Sequence, residues 1–417
     1  MAFQLTGLIR ENLKNIAYQT LAQILPRALL FIFIFYLAAR IGSTEYGKFD
    51  FALSIGYLIG VFFDLGGNLI LTKYVARGFY SGYIYSFKFR LFSILIIFIA
   101  VFSFLTLSGL HKQILFHILA ASVGIAFSSL MNLNFAFFRG LKRMNYEAVV
   151  LLIQKILFIG VSLLFLLQSD NSFYILLSFA LSMVISWIII QWIFFRERKK
   201  YTDDDPGKKI LFNEYFKDVM SLALVEVFSI IYFRVTQIIL EAFCGFSEVG
   251  VYGASYKLVE AFTNVPSILM IVFFPGFAKL ALGSIIDFNR QFKKILLLML
   301  SIGFAACLFC WFLGEPVYSL LGKDYSRSYL ILRYMTIALF FIYPNYLLTQ
   351  VLVALDMNIK LAIIILIALV LNVIISLLLV PEYGAAGSAI SVGICEIVIF
   401  ILCFLYILKH TNKSVTV

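Results

Sequence analysis

Gly42-Ser43-Thr44-Glu45-Tyr46-Gly47-Lys48-Phe49 and Gly245-Phe246-Ser247-Glu248-Val249-Gly250-Val251-Tyr252 both read G-x-[ST]-E-x-G-x-[FY], and they stand 203 residues apart in a chain of 417. Each copy joins two apolar runs of helical length. Runs at 18–39 and 49–70 flank the first copy, and runs at 217–241 and 250–277 flank the second. A second echo follows further along, Met144-Asn145 in one half and Met357-Asn358 in the other. The duplication predicts two halves built alike. Six spans separate the copies, so both halves cross in the same sense. Parallel repeats of that kind are related by an axis along the membrane normal, with the substrate site between them.

Working outward, further runs lie at 88–109, 114–138, 148–167, 173–195, 295–313, 329–352, 360–380 and 385–408. About 20 apolar residues suffice to cross the hydrocarbon core as a helix. The runs are continuous, unlike the alternating ten-residue segments of a membrane barrel. The expected fold class is therefore an all-α polytopic membrane protein of about twelve helices in two six-helix lobes. Composition agrees: 63% of residues are hydrophobic and 13% charged, with a mean hydropathy of +1.00. A soluble domain carries about 25% charged residues. The domain reading is an N-terminal lobe over 1–200, a cytoplasmic linker over 201–216 and a C-terminal lobe over 217–417. The linker region is polar, with Arg196, Arg198, Lys199 and Lys200 followed by Asp203-Asp204-Asp205-Pro206-Gly207.

The net charge of +11 does not call for nucleic acid, because basic residues mark cytoplasmic loops. Of the Lys and Arg residues, 23 flank the N-terminus, the even-numbered loops and the C-terminus, against five at the odd-numbered loops. That bias predicts both termini in the cytoplasm. The first span follows Asn12, Lys14 and Asn15 and has no A-x-A site, so it reads as a span and not a cleaved signal. Cys244, Cys307, Cys310, Cys395 and Cys403 fall in or beside apolar runs and read as small buried hydrophobes. His111, His117 and His410 form no metal or catalytic set. No metal and no cofactor is expected.

A charge at the bilayer centre costs about 2.5–3.5 kcal/mol on insertion scales, so each such residue needs a reason. Arg27 sits midway along the first span, and Gln19, Gln23 and Arg27 share one helical face. In span seven Arg234, Gln237 and Glu241 share a face, with Glu226 placed deeper. In span eight Lys257, Glu260 and Asn264 repeat the pattern, either as a local ion pair or as a site. Asp64 and Glu396 are lone acids in apolar surroundings, suited to helix packing or to ion coupling. Arg27, Arg234 and Lys257 would make a cationic substrate site if the halves face each other, and phosphates would be its natural guest. Gln19, Gln23, Gln237 and Asn264 would support it. Glu226, Glu260 and Asp64 are the candidate ion-coupling acids.

These residues bear a family likeness. Ala38-Ala39-Arg40-Ile41-Gly42 leading to Glu45-Tyr46-Gly47-Lys48-Phe49, then Asp64-Leu65-Gly66 and Ala76-Arg77, resembles the polysaccharide-exporter family that includes the O-antigen flippases. The second half agrees at Tyr256-Lys257-Leu258-Val259-Glu260, Pro266, Phe274-Pro275, Leu320-Leu321-Gly322-Lys323-Asp324-Tyr325 and Tyr383-Gly384-Ala385-Ala386-Gly387. The resemblance implies the fold of the multidrug extruders and lipid II flippases. It implies an undecaprenyl-pyrophosphate-linked oligosaccharide carried from the cytoplasmic to the periplasmic leaflet of a bacterial inner membrane. Membrane lipid, and a glycan polymerase or assembly complex, would be its partners. It further implies a cavity role for Lys257, where lipid II flippases carry Arg, and for Arg27. Many relatives have an Asp in span seven where this chain has Thr236.

Two other classes compete. A multidrug or cation antiporter of the same fold would want an acidic, aromatic cavity, against which the three cations speak. A glycan polymerase or glycosyltransferase would want a long periplasmic loop, and every odd-numbered loop is short. The D-x-D within Asp203–Asp205 reads as a solvated charge run.

Overall fold

The computed structural model describes residues 2–107, 112–198, 212–280, 285–355 and 357–413. All regular elements among them are helical: α1 (Ala2–Asp64), α2 (Gly67–Ala76), α3 (Gly82–Leu107), α4 (Lys112–Gly140), α5 (Asn145–Leu166), α6 (Ser172–Arg198), α7 (Phe212–Leu280), α8 (Ile285–Ser319), α9 (Ser328–Ala354), α10 (Asn358–Tyr383) and α11 (Ala385–Lys413). A single 3-10 turn, Lys323–Tyr325, precedes α9. Most of the linker expected at 201–216 lies outside the described residues.

Ten helices among the described residues are long and apolar enough to cross a membrane. Two of them carry two crossings each. The apolar part of α1 runs 40 residues and that of α7 runs 59. At 1.5 Å rise per residue, even the shorter is about 60 Å long, twice the hydrocarbon core. Each is interrupted once, by a glycine with positive φ: Gly42 (φ 78°) in α1 and Gly245 (φ 76°) in α7. These open the two repeat copies, and glycine alone enters that region at no steric cost. The predicted loops at 40–48 and 242–249 are thus helical on both sides of one residue. A further difference lies at 65–66. There Leu65 (φ 50°) and Gly66 (φ 76°) end α1 and start α2, inside what the apolar run presents as one span.

The chain forms two compact units, Met1–Tyr36 with Ile55–Ala223, and Leu37–Ser54 with Leu224–Val417. In the first, α4 packs on α6, α2 and α3, and α5 packs on α6. In the second, α9 packs on α11 and α8, and α10 packs on α11. The polarity of these helices is that of membrane packing. The buried face of α5 is Val150, Gln154, Phe158, Ser162 and Leu166, and Gln154 donates to Ser182 on α6 at 3.0 Å. Its outward residues Val149, Ile156 and Leu164 are exposed. Likewise α10 buries Asn372 and Ser376 while Ile363, Ile367, Val370, Ile374 and Leu378 face out. In lipid, small and polar side chains hold helices together and aliphatic ones face the hydrocarbon.

The two repeat copies pack on each other within the second unit. A Cβ on Gly47 would stand 2.7 Å from the carbonyl carbon of Phe246, and closer still to its oxygen. One on Gly250 would stand 2.8 Å from the carbonyl carbon of Ser43. Shifting either contact by the repeat length of 203 turns it into the other. A local two-fold axis therefore passes through the crossing, and Ser43 and Ser247 share a hydrogen bond of 3.0 Å beside it. The glutamates of the copies differ. Glu45 pairs with Lys48 at 2.6 Å. Glu248 takes Arg327 at 2.7 Å and accepts from the N-terminal amide of α11 at Ala385, 3.0 Å.

Candidate functional site

In the first unit Asp64 is engaged with its own surroundings. It accepts from Gly66 N (3.3 Å) and Asn68 Nδ2 (2.7 Å), which secures the break between α1 and α2. Arg90 of α3 lies 3.3 Å away. Arg90 is buried and also donates to Asn68 Oδ1 (2.7 Å), Ser129 Oγ (3.1 Å) and the Ser129 carbonyl. A buried guanidinium needs such a set of acceptors. The sequence count places Arg90 with the loop residues because it stands near the start of an apolar run. Its partners, contributed by α1, α2 and α4, were not legible there.

Arg27, expected to be buried, is exposed on α1 and interacts electrostatically with Glu147 in the first turn of α5. Glu147 also pairs with Arg139 at 3.2 Å. Gln19 and Gln23 lie on α1, but their side chains fall outside the described residues.

The second unit assembles the other sequence-derived candidates. The turn at Gly245 folds α7 back, so Arg234 on one arm comes within electrostatic reach of Lys257 on the other. Lys257 Nζ donates to Glu260 Oε2 at 2.7 Å, with side chains 24% and 48% exposed. Asn264 donates to the Glu260 carbonyl at 3.0 Å, so the predicted Lys257–Glu260–Asn264 face is one connected group. Glu226, expected deep in its span, is exposed on α7, and Glu241 is half-exposed.

Asp50 joins this group, and sequence reading passed over it. It follows the first repeat copy directly and is 3% exposed. Gln237 Nε2 donates to Asp50 Oδ2 at 2.5 Å. The Ser54 hydroxyl reaches both the Asp50 carbonyl, at 2.8 Å, and Gln237 Oε1. Asp50 feels the charges of Lys257, Arg234 and Glu260. The available signal was an acid within the apolar run at 49–70, the run that also holds Asp64.

Glu396 on α11 is also buried, and it accepts from Tyr232 Oη (2.9 Å) and Asn345 Nδ2 (2.8 Å). Thr236 lies in a network of amides and hydroxyls. Asn372 Nδ2 donates to Thr236 Oγ1 at 2.9 Å, and Ser391 and Ser376 donate to Asn372 Oδ1 at 2.7 and 3.2 Å. Among the described residues no group of three or more His, Cys, Asp or Glu could hold a metal ion.

With this geometry in place, known proteins supply the context. The chain is similar to the capsular polysaccharide biosynthesis protein CapF of Staphylococcus aureus, 27% identical over 93% of this chain and 97% of that protein. Its fold is that of an inward-facing multidrug resistance MATE family transporter of the MOP superfamily. The TM-score is 0.75 at 16% identity, over 91% of this chain and 94% of that one. The lipid II flippase MurJ in an inward closed conformation gives the same TM-score and identity, over 95% of this chain and 89% of that one. That shared fold has twelve helices in two lobes. A family model described as "Polysaccharide biosynthesis protein" matches residues 12–281, and the chain, a multi-pass membrane protein, belongs to that family.

Proposed function

We propose that this protein is a flippase. It carries a polyprenyl-pyrophosphate-linked oligosaccharide from the cytoplasmic to the periplasmic leaflet of a bacterial inner membrane, by alternating access coupled to an ion. The observation that carries this reading is the pair of cations, Arg234 and Lys257, held half-exposed inside the spans on the two arms of α7. Membership of a polysaccharide biosynthesis family and the fold shared with a lipid II flippase support it.

The chemistry follows from the substrate's three parts. A pyrophosphate cannot enter hydrocarbon unpaired, since an isolated buried ion costs many kcal/mol. A guanidinium meets two phosphate oxygens with a planar fork, and an ammonium adds a compact point charge. The hydrophilic glycan follows the pyrophosphate while the prenyl chain stays in lipid. No bond in the substrate is made or broken in this reading. Glu260, already on Lys257, is displaced or shared when the phosphate arrives.

The test is a reconstituted assay. Proteoliposomes carrying a fluorescent prenyl-diphosphate oligosaccharide are challenged with a membrane-impermeant reagent that modifies the outer leaflet only. The protein should speed exchange between leaflets, and Arg234→Ala with Lys257→Ala should abolish it. Full exchange in that double variant would overturn the proposal. Transport of a cationic dye, with none of the glycolipid, would place the protein with the multidrug antiporters.

A further inference from the structure

Asp50 occupies an unusual position in the repeat. Its counterpart one repeat length on is Gly253, and the two touch, since a Cβ on Gly253 would stand 3.0 Å from the Asp50 carboxyl carbon. A residue that meets its own repeat mate lies beside the local two-fold axis. The axis thus carries one carboxylate, with glycine opposite to make room for it. A carboxylate in both copies would set two like charges side by side.

The surroundings of Asp50 narrow what it can bind. Gln237 presents its amide N–H, and Lys257 and Arg234 are the cations whose charge acts on Asp50. The other titratable groups facing Asp50 are Glu260, Tyr46, Tyr252 and Tyr325. A sodium ion would need several oxygen ligands, and Gln237 turns an N–H donor toward the carboxylate in place of one. A proton needs only the carboxylate itself. Tyr46 and Tyr325 add an independent sign: both side chains are fully buried, and neither hydroxyl has a hydrogen-bond partner among the described residues. Buried hydroxyls almost always have partners. Both of these unpartnered hydroxyls stand within electrostatic reach of Asp50.

We propose that Asp50 is a proton-binding site whose proton is taken up as an anion occupies Arg234 and Lys257, and is released as the anion leaves. This rests on the flippase reading for the identity of the anion. With Asp50 and Glu260 ionised, the two carboxylates formally balance the two cations. Uptake of one proton from water forms an O–H bond on the Asp50 carboxyl group and leaves the cluster one positive charge in excess. That excess favours the anion, and by linkage the anion favours the proton to the same degree.

Two measurements on the full-length protein test this. Infrared difference spectra of the ligand-free protein, taken across pH, should show a protonated carboxyl C=O band that is lost in Asp50→Asn. Binding of farnesyl diphosphate in detergent should tighten about tenfold from alkaline to acid pH, within the range of coupled sites. The probe's own titration is common to all variants and cancels. In Asp50→Asn the affinity should stay near its acid value at every pH. If that variant fails to fold, Asp50→Glu replaces it and should shift the band and the pH midpoint. An unchanged band and an unchanged pH profile in the variant used would overturn the proposal. If farnesyl diphosphate binds to neither protein, the flippase reading fails, and the infrared arm alone decides whether Asp50 titrates.

Discussion

Alanine at Gly47 should be among the most damaging single methyl groups that can be added to this protein. The new Cβ would lie 2.7 Å from the Phe246 carbonyl carbon and 3.0 Å from the Gly250 amide nitrogen, both backbone atoms of the opposing helix. No side chain can rotate away, so relief requires the two helices to part. Overpacking of that kind costs about 1–3 kcal/mol. Parting the helices also stretches the Ser43–Ser247 hydrogen bond, a further loss of about 1 kcal/mol. A total near 3 kcal/mol is expected. Gly250→Ala meets Ser43 in the same way and should match it. The two contacts are one crossing, so the double variant should cost less than the sum. The control is Gly160→Ala on α5. Its Cβ meets nothing within 4 Å, and alanine is the better helix former by about 1 kcal/mol. Apparent melting temperatures in one detergent at one scan rate decide the matter, since such unfolding is often irreversible. If Gly47→Ala melts with the wild type and with Gly160→Ala, the close crossing of the repeats is refuted.

Other substitutions separate structure from transport. Arg90→Ala leaves the Asp64 carboxylate and a buried Ser129 carbonyl without their cation. A loss of about 3–5 kcal/mol is expected, seen as a lower yield of folded protein. Glu396→Ala strands the Tyr232 hydroxyl, at about 1–3 kcal/mol, while the Asn345 amide keeps its bond to the residue 396 carbonyl. Glu396→Gln, which keeps an acceptor, should melt nearer the wild type. Lys257→Ala should lower the melting temperature only modestly, because its partner Glu260 is exposed and the buried Asp50 keeps Gln237 and Arg234, yet it should stop glycolipid exchange. Lys257→Arg should restore that exchange at least in part.

The apolar runs are enough to place the spans, because a helix in lipid must be long and apolar whatever it packs against. The repeat and its glycines follow from the same text, since only glycine takes φ near 78° without strain. The face shared by Lys257, Glu260 and Asn264 was legible for a similar reason: helical period alone sets it. Pairing across elements was beyond that reach. Whether Asp64 is a free acid or the counter-ion of Arg90 depends on where α3 comes to rest against α1 and α4. The role of Asp50 depends on the turn at Gly245, which lays Gln237, Arg234 and Lys257 against the crossing of two segments 203 residues apart in the chain. Local pattern carries the periodicity of a helix. The charges that meet across a helix crossing are a property of three-dimensional packing, and no periodicity encodes them.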